Sequence, residues 1–499
     1  MFLTVSLVLV ALGTLYVYLV WHFNYWKDRN VPGPKPMPLL GSFPSFVLRH
    51  RPFLEEMDET YRKYKGTYNF VGVFGNRSPR IFVLSSALAK NILSKDFKHF
   101  HDNEFSETIN KEADPLFGRN PFMLNGEEWK QKRAEITPAF TTSRMKALYS
   151  FVEDVGSRMT DYLKQQASKP VEAKELAAKF TTDVVSSCIF AADAQSFTSD
   201  KPEIQEMGRK LLDFSFFSFV CMIFMEMFPK IAKKLKIGFI SKSIEKFFCN
   251  LMSEAITHRE ASVVKRIDYL DYLINLRKKK EIAEIDMAAH GVTFFIDGFE
   301  TSSVAISFAL YELARNPAIQ KRLREELQRA PVDNGLISYD ILQELPYLDQ
   351  VLSEVLRLWP PAAFLSKRCT EAIELEVTST QKVLVEKGVC AYIPLWSIHR
   401  DPDNFDDPLA FNPDRFSTAT GGTNPYREKG CFFPFGDGPR QCLGMRFARM
   451  QVKRGIYEII MNFEVTMDSK TKDPLLIDPK QLLTGALGGI WLNFNPIWK

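Results

Sequence analysis

Apolar positions are unevenly distributed along this chain, and their spacing predicts different elements in different places. From Met1 to Trp26 there is no Asp, Glu, Lys or Arg, and about 20 apolar residues are enough for a helix that spans a bilayer. A cleaved leader is basic ahead of a shorter apolar run and ends in small residues. Val17 to Trp26 is instead bulky and aromatic. Residues 1–26 are therefore expected to form an uncleaved anchor, with a buried core helix as the alternative. Lys27, Arg29 and Lys35 lie on its C-terminal side, so the positive-inside rule leaves the rest of the chain in the cytoplasm.

Residues 27–41 contain Pro32, Pro34, Pro36 and Pro38. Each lacks a backbone donor and has a fixed φ, which predicts a stiff hinge. Residues 42–499 show no repeat and no Gly/Ser linker, and are read as one domain. Tyr68 to Phe74 and Arg80 to Ser85 read as two strands, with Gly75-Asn76 opening the turn. Asp213 to Phe228 is crowded with Phe and Met and is followed by Lys230, Lys233, Lys234 and Lys236. That pattern suits a second membrane contact or a core helix before a solvated loop. Arg277 to Lys280 reads as an exposed loop.

From about Ala283 to Asn316 apolar residues recur at helical spacing with no proline, and Pro317 supplies a stop. At 1.5 Å per residue this helix is roughly 50 Å long, whereas a compact globule of this size has a radius of gyration of about 23 Å. The helix must cross the core. Its middle is nevertheless polar: Asp297-Gly298-Phe299-Glu300-Thr301-Ser302. Buried polar groups without partners cost several kcal/mol. Gly298, Thr301 and Ser302 share a face on which something can approach the backbone, unless the hydroxyls simply bond back to preceding carbonyls.

Composition alters this picture little. The 499 residues are 45% apolar and 25% charged, which excludes disorder, collagen and coiled coil. A net charge of +4 is too small to argue for nucleic acid. The 41 Phe and 16 Met suit bulky core and pocket walls. Seven cysteines without Cys-x-x-Cys spacing and seven histidines without His-x-His give no disulfide framework, zinc site or histidine-built metal centre.

One cysteine stands apart. In Phe435-Gly436-Asp437-Gly438-Pro439-Arg440-Gln441-Cys442-Leu443-Gly444, glycines permit a tight turn and Cys442 falls at the start of a helical pattern. A helix N-terminus and a nearby arginine both favour thiolate, as a metal-bound cysteine requires. A dinucleotide loop is ruled out because Gln441 stands at the third glycine position.

The loop Phe435-x-x-Gly438-x-Arg440-x-Cys442-x-Gly444 resembles the haem-binding loop of the haem-thiolate monooxygenases, the cytochrome P450 family. Glu354-Val355-Leu356-Arg357 resembles that family's Glu-x-x-Arg helix. Phe411 to Phe416 resembles the segment whose arginine, here Arg415, completes a structural triad with Glu354 and Arg357. Trp129-Lys130-Gln131-Lys132-Arg133 is similar to the Trp-x-x-x-Arg helix, and Asp297 to Ser302 to the oxygen-activation motif. The resemblance runs the length of the chain. It implies a mainly α fold with small β-sheets around a buried haem b, preceded by a transmembrane helix.

By the same resemblance, Cys442 is the axial thiolate and metal ligand. Trp129, Arg133, Arg368 and Arg440 are propionate partners, Phe435, Gly438 and Gly444 shape the loop, and Glu300 and Thr301 relay protons. Two positions depart from the family pattern: Asp297 replaces the usual Ala or Gly, and Asn103 replaces an arginine. Asn103 is therefore given no propionate role. Family layout puts the substrate walls at residues 110–124, Phe214 to Phe228, Ala289 to Asp297, Pro361 to Leu365 and Leu483 to Leu487. The implied co-substrates are O2 and NADPH, the latter acting through NADPH-cytochrome P450 reductase with cytochrome b5 as a second donor.

Arg446, Arg449 and Lys453, at i, i+3 and i+7, form a basic stripe with Lys130 and Lys132 nearby. It reads as a dock for an acidic reductase or as a solvated face. The likeness to insect microsomal, detoxifying members implies an endoplasmic reticulum location and lipophilic substrates: xenobiotics, insecticides or hormones. An isomerase or dehydratase of the same fold, needing no reductase, is the alternative, and intact Glu300-Thr301 speaks against it. A catalytically silent haem protein is the other, and the complete axial and relay residues oppose it.

Overall fold

The computed structural model describes residues 2–497 apart from 108, 167–168, 213–215 and 264. Helices dominate. Those that position the site are α1 (Phe2–Val20), α2 (Gly126–Ile136), α3 (Thr142–Gln165), α4 (Ala173–Ile189), α5 (Phe216–Met227), α6 (Glu284–Arg315), α7 (Pro346–Leu358) and α8 (Met445–Asn462). Among the described residues nine strands make three small sheets: β1 (Phe70–Gly75), β2 (Ser78–Val83), β3 (Val171–Glu172), β4 (Leu365–Arg368), β5 (Ile373–Thr378), β6 (Gln381–Val385), β7 (Cys390–Ile393), β8 (Phe463–Met467) and β9 (Trp491–Pro496). The largest has the order β1-β2-β7-β4, and its only parallel pair is β2 with β7.

None of the residues of α1 is buried, and it is long and apolar enough to cross a membrane. It stops at Val20, short of the expected boundary at Trp26. Trp26 is a core residue, 3% exposed, with its indole N–H donating to Val73 O at 3.0 Å. Two glycines make this possible: a Cβ on Gly72 would fall 2.2 Å from the Trp26 ring, and one on Gly33 would fall 1.8 Å from Gly72 O. The proline-rich hinge is thus laid against β1, with Gly72 N donating to Pro32 O at 2.8 Å.

The strands at residues 70–83 form the expected hairpin, with Asn76 at a φ of 49° in its turn. Within the stretch read as membrane contact or core, residues 213–215, Phe214 among them, lie outside the described residues, and the remainder gives α5. The Tyr18 hydroxyl donates to Met227 O at 2.9 Å and its ring stacks on Phe228 at 5.6 Å, so the end of α1 meets the end of α5. Arg277 to Lys280 is not a loop. These residues end the helix Tyr269–Lys280, where cations complement the dipole.

The central helix α6 matches its expected bounds within one residue. Glu284 and Asp286 occupy its first turn and Arg315 its last, the arrangement its dipole favours. Two apolar cores flank the site. One surrounds α3, α4, α6, α7 and α8, and the other fills the β1-β2-β7-β4 sheet and includes Phe432 and Phe433. Phe435 and Leu443 pack against the first core, so the cysteine loop spans from one core to the other.

Candidate haem site

The loop before α8 is shaped by backbone hydrogen bonds: Gly436 N donates to Phe433 O at 2.8 Å, Gln441 N to Gly438 O at 3.0 Å and Cys442 N to Phe435 O at 2.8 Å. Gly438 has φ +67°, and a Cβ there would lie 2.0 Å from Leu93 O. Only glycine fits. A Cβ on Gly444 would approach the Cys442 sulfur to 4.0 Å, so this position leaves the sulfur uncovered. Cys442 is accessible by surface area yet deep among protein atoms; its sulfur therefore faces an internal space.

Burial pushes the Cys442 thiol up to about 11 and the Asp297 charge adds to this, while the Gly444 and Met445 N–H groups and Arg133 pull it down. The loop alone does not make a thiolate. A bound cation of the iron type would supply the missing positive charge at Cys442, since a coordinating thiol is deprotonated outright.

Across that space lies the polar middle of α6. Asp297 is accessible by surface area, yet burial raises its carboxyl to about 7. The Thr301 hydroxyl donates to Asp297 O within its own helix, and Glu300 pairs with Lys174. The face expected to unite Gly298, Thr301 and Ser302 divides. Gly298 and Ser302 are buried against neighbours: a Cβ on Gly298 would lie 2.9 Å from Val185 Cγ1 of α4, and Gln451 of α8 donates to Gly298 O at 2.7 Å and to Ser302 Oγ at 2.5 Å. The glycine serves helix packing, and only Thr301 is left partly open.

A cationic cradle flanks the space. Trp129 is buried, with Arg440 stacked 4.1 Å over its ring. Arg440 donates to Leu124 O at 2.9 Å and to Asp102 Oδ1 at 3.2 Å, while its Nε has no partner. Arg133 donates to Gln441 O at 2.7 Å. Arg368 departs from the expectation. Its backbone N–H bonds Asp102 O at 2.8 Å, but its side chain lies on the far face of β4, beside Gly388 and within the field of Glu104 and Cys390.

Lys367 points the right way instead. Its Nζ is 3.3 Å from Asn103 Oδ1, and burial, together with the charge of Arg440, lowers it to about 7. Sequence reading passed over Lys367; the strand's two-residue alternation was the signal that separates it from Arg368.

The cradle fits a dianion. Arg440 and Lys367 face one carboxylate, Asp102, with Arg133 beside Arg440; cations outnumber the carboxylate, and burial lowers Arg440 to about 10. Two carboxylates on one flat group would neutralise the excess and fill the unpartnered Arg440 Nε.

The expected triad assembles. Arg357 donates through Nε and Nη2 to both oxygens of Glu354 at 2.7 Å, and Arg415 Nε reaches Glu354 Oε1 at 3.2 Å. Arg357 also donates to His399 O, Pro408 O and Ala410 O. A buried pair so fully bonded fixes the segment from His399 to Arg415 against α7. The basic stripe does not survive as a surface. Lys453 is fully buried, bonded to Gln343 O and Asp349 at 2.8 Å, and Arg449 pairs with the same carboxylate. Lys132 pairs with Glu135. Arg446 and Lys130 remain exposed.

This combination suits a planar anionic group held through one sulfur and faced by a helix carrying an acid and an alcohol. The family model described as Cytochrome P450 matches residues 31–492. "Probable cytochrome P450 28a5" of Drosophila melanogaster is 37% identical over 509 residues, covering 99% of each chain, and "Cytochrome P450 6A1" of Musca domestica is 34% identical, also over 99% of each. The chain belongs to the cytochrome P450 family, and is a haem monooxygenase with a cysteine thiolate ligand that uses O2.

Proposed function

We propose that this monooxygenase inserts one oxygen atom into lipophilic small molecules, such as xenobiotics, insecticides or hormones, with electrons from an NADPH-dependent flavoprotein reductase. The observation that carries the reading is the placement of Cys442 at the start of α8, facing an internal space that Asp297 also reaches. Haem bound there supplies oxygen activation, with thiolate donation favouring O–O cleavage. Cys442 is its ligand, and Trp129, Arg133, Lys367 and Arg440 hold its carboxylates. Glu300 and Thr301 pass protons inward along α6. For the alcohol to serve, the Thr301 hydroxyl must leave its bond to Asp297 O.

Residues 1–26 attach the chain to the endoplasmic reticulum membrane, with α1 as the spanning part; residues 27–41 form the hinge, and residues 42–499 are the cytoplasmic catalytic domain. The exposed cations Lys130 and Arg446 meet the acidic reductase or cytochrome b5. Two measurements test the proposal. The reduced carbonyl complex of the wild type should show the thiolate-type Soret band and Cys442→Ser should lose it. Thr301→Ala should bind ligands normally but divert NADPH electrons to hydrogen peroxide. A Soret band that persists in Cys442→Ser, or full coupling in Thr301→Ala, removes the corresponding assignment.

A further inference from the structure

Asp297 stands where the family pattern has alanine or glycine, and its side chain is open to the internal space that Cys442 faces. The Cys442 sulfur lies within its field. Burial by itself accounts for the rise of its carboxyl to about 7, and among the described residues no cation and no donor acts on it. Tyr269, from the helix Tyr269–Lys280, is also within that field, and burial keeps its phenol neutral.

The other acids about the site are already matched. Glu300 pairs with Lys174, Asp102 with Arg440, and Asp286, in the first turn of α6, with Arg119 at 3.4 Å. The Thr301 hydroxyl donates to the backbone oxygen of Asp297 and leaves the carboxylate alone. An ionised carboxylate in a poorly hydrated space is costly until it meets an opposite charge. The missing partner must therefore arrive with a ligand.

A metal ion does not suit this position. Such ions take several oxygen ligands, and among the described residues no group of three or more His, Cys, Asp or Glu stands together. An organic ammonium needs only one carboxylate and brings its own apolar substituents. An apolar wall is at hand for them: Leu365 Cδ1 lies 4.0 Å from where a Cβ on Gly436 of the cysteine loop would fall.

We propose that Asp297 is a specificity-determining residue whose carboxylate pairs with the ammonium group of lipophilic alkylamines, which makes these amines a preferred substrate class of the site. This rests on the reading of the chain as a monooxygenase of lipophilic molecules. Below neutral pH the carboxyl gives up its proton to solvent as the amine binds, the ammonium keeps its own, and the pair formed is neutral.

The test uses the full-length, haem-loaded enzyme and two matched probes: an N,N-dimethyl phenylbutylamine, charged at neutral pH, and the hydrocarbon in which carbon replaces its nitrogen. Binding is read from the Soret shift and, independently, from protons released to an indicator dye in weakly buffered solution at pH 6. The wild type should prefer the amine and release protons on binding it, but none with the hydrocarbon. Asp297→Asn and Asp297→Ala, each checked by its reduced carbonyl spectrum, should bind the amine roughly 10- to 100-fold more weakly. Both should bind the hydrocarbon about as the wild type does and release no protons. Should one variant fail to hold haem, the other carries the measurement. An amine affinity that both substitutions leave unchanged, or that falls no more than the hydrocarbon affinity, overturns this inference alone. Failure of both probes to bind the wild type removes the reading of lipophilic substrates and this inference with it.

Discussion

Lys367 and Arg368, neighbours on β4, leave the strand on opposite faces. The lysine reaches Asn103 Oδ1 at 3.3 Å in the cationic cradle, and the arginine joins a buried group in which Arg80 pairs with both Glu104 and Glu226. The two clusters balance separately. Arg80 and Arg368 face Glu104 and Glu226, whereas in the cradle the cations outnumber Asp102. Glu226 lies on α5, so the second cluster also ties that apolar helix to the sheet.

The lysine, and not the arginine, should therefore control haem retention. A hydrogen bond to a charged group is worth about 1.5–3 kcal/mol, so Lys367→Gln should release haem roughly 10- to 100-fold faster, with Lys367→Arg close to wild type. Transfer of haem to excess apomyoglobin measures the rate. Arg368→Gln should lower the thermal midpoint and leave the transfer rate near that of the wild type.

Asp297 sets a pH dependence whose sign follows from its environment. Burial raises its carboxyl from the ordinary range to about 7. Between roughly pH 4 and 7 the unfolded chain therefore carries the charge while the folded one holds the proton, and this contribution to stability declines as pH rises across that window. Asp297→Asn removes the slope. Its gain in thermal midpoint over the wild type should be larger at pH 8 than at pH 5. Equal gains at the two pH values would place the carboxyl in an ordinary, hydrated setting.

The boundary of the membrane segment can be checked by truncation. Removing residues 2–20 takes away a helix with no buried residue, together with the Tyr18 contacts to Met227 and Phe228, and should leave the reduced carbonyl spectrum intact. Removing residues 2–26 also takes Trp26 from the core, where loss of a buried tryptophan costs about 3–5 kcal/mol. The yield of haem-loaded protein should fall sharply, and Trp26→Ala in the full chain should reproduce the loss.

Exposed and buried cations near α8 should separate in reductase kinetics. Lys130→Glu and Arg446→Glu should each raise the KM for reductase about 2- to 5-fold, as expected for exposed pairs worth 0.2–1 kcal/mol, and the effect should fade at high salt. Lys453→Met should lower the thermal midpoint without changing that KM, because its ammonium is buried against Asp349 and Gln343.

The course of the chain is largely legible in its sequence. The uncharged first stretch, the hairpin at residues 70–83, the central helix and the cysteine loop all depend on local periodicity and turn chemistry, which a sequence displays directly. The triad was legible because Glu354 and Arg357 are one helical turn apart and Arg415 sits in a recognisable segment. Other readings failed where facing mattered. Arg277 to Lys280 read as loop because charge alone does not distinguish a solvated loop from a helix end.

The sequence by itself determined the family, the cysteine and the order of the elements, because those follow from residue type and spacing. Tertiary structure decided which side each residue faces: Lys367 toward the cradle and Arg368 away from it, Gly298 into helix packing, Lys453 inward, Trp26 into the sheet core. The physical reason is that facing depends on partners far apart in the chain. Asn103 meets Lys367, and Lys174 meets Glu300, only after the core has closed and brought their backbones within reach.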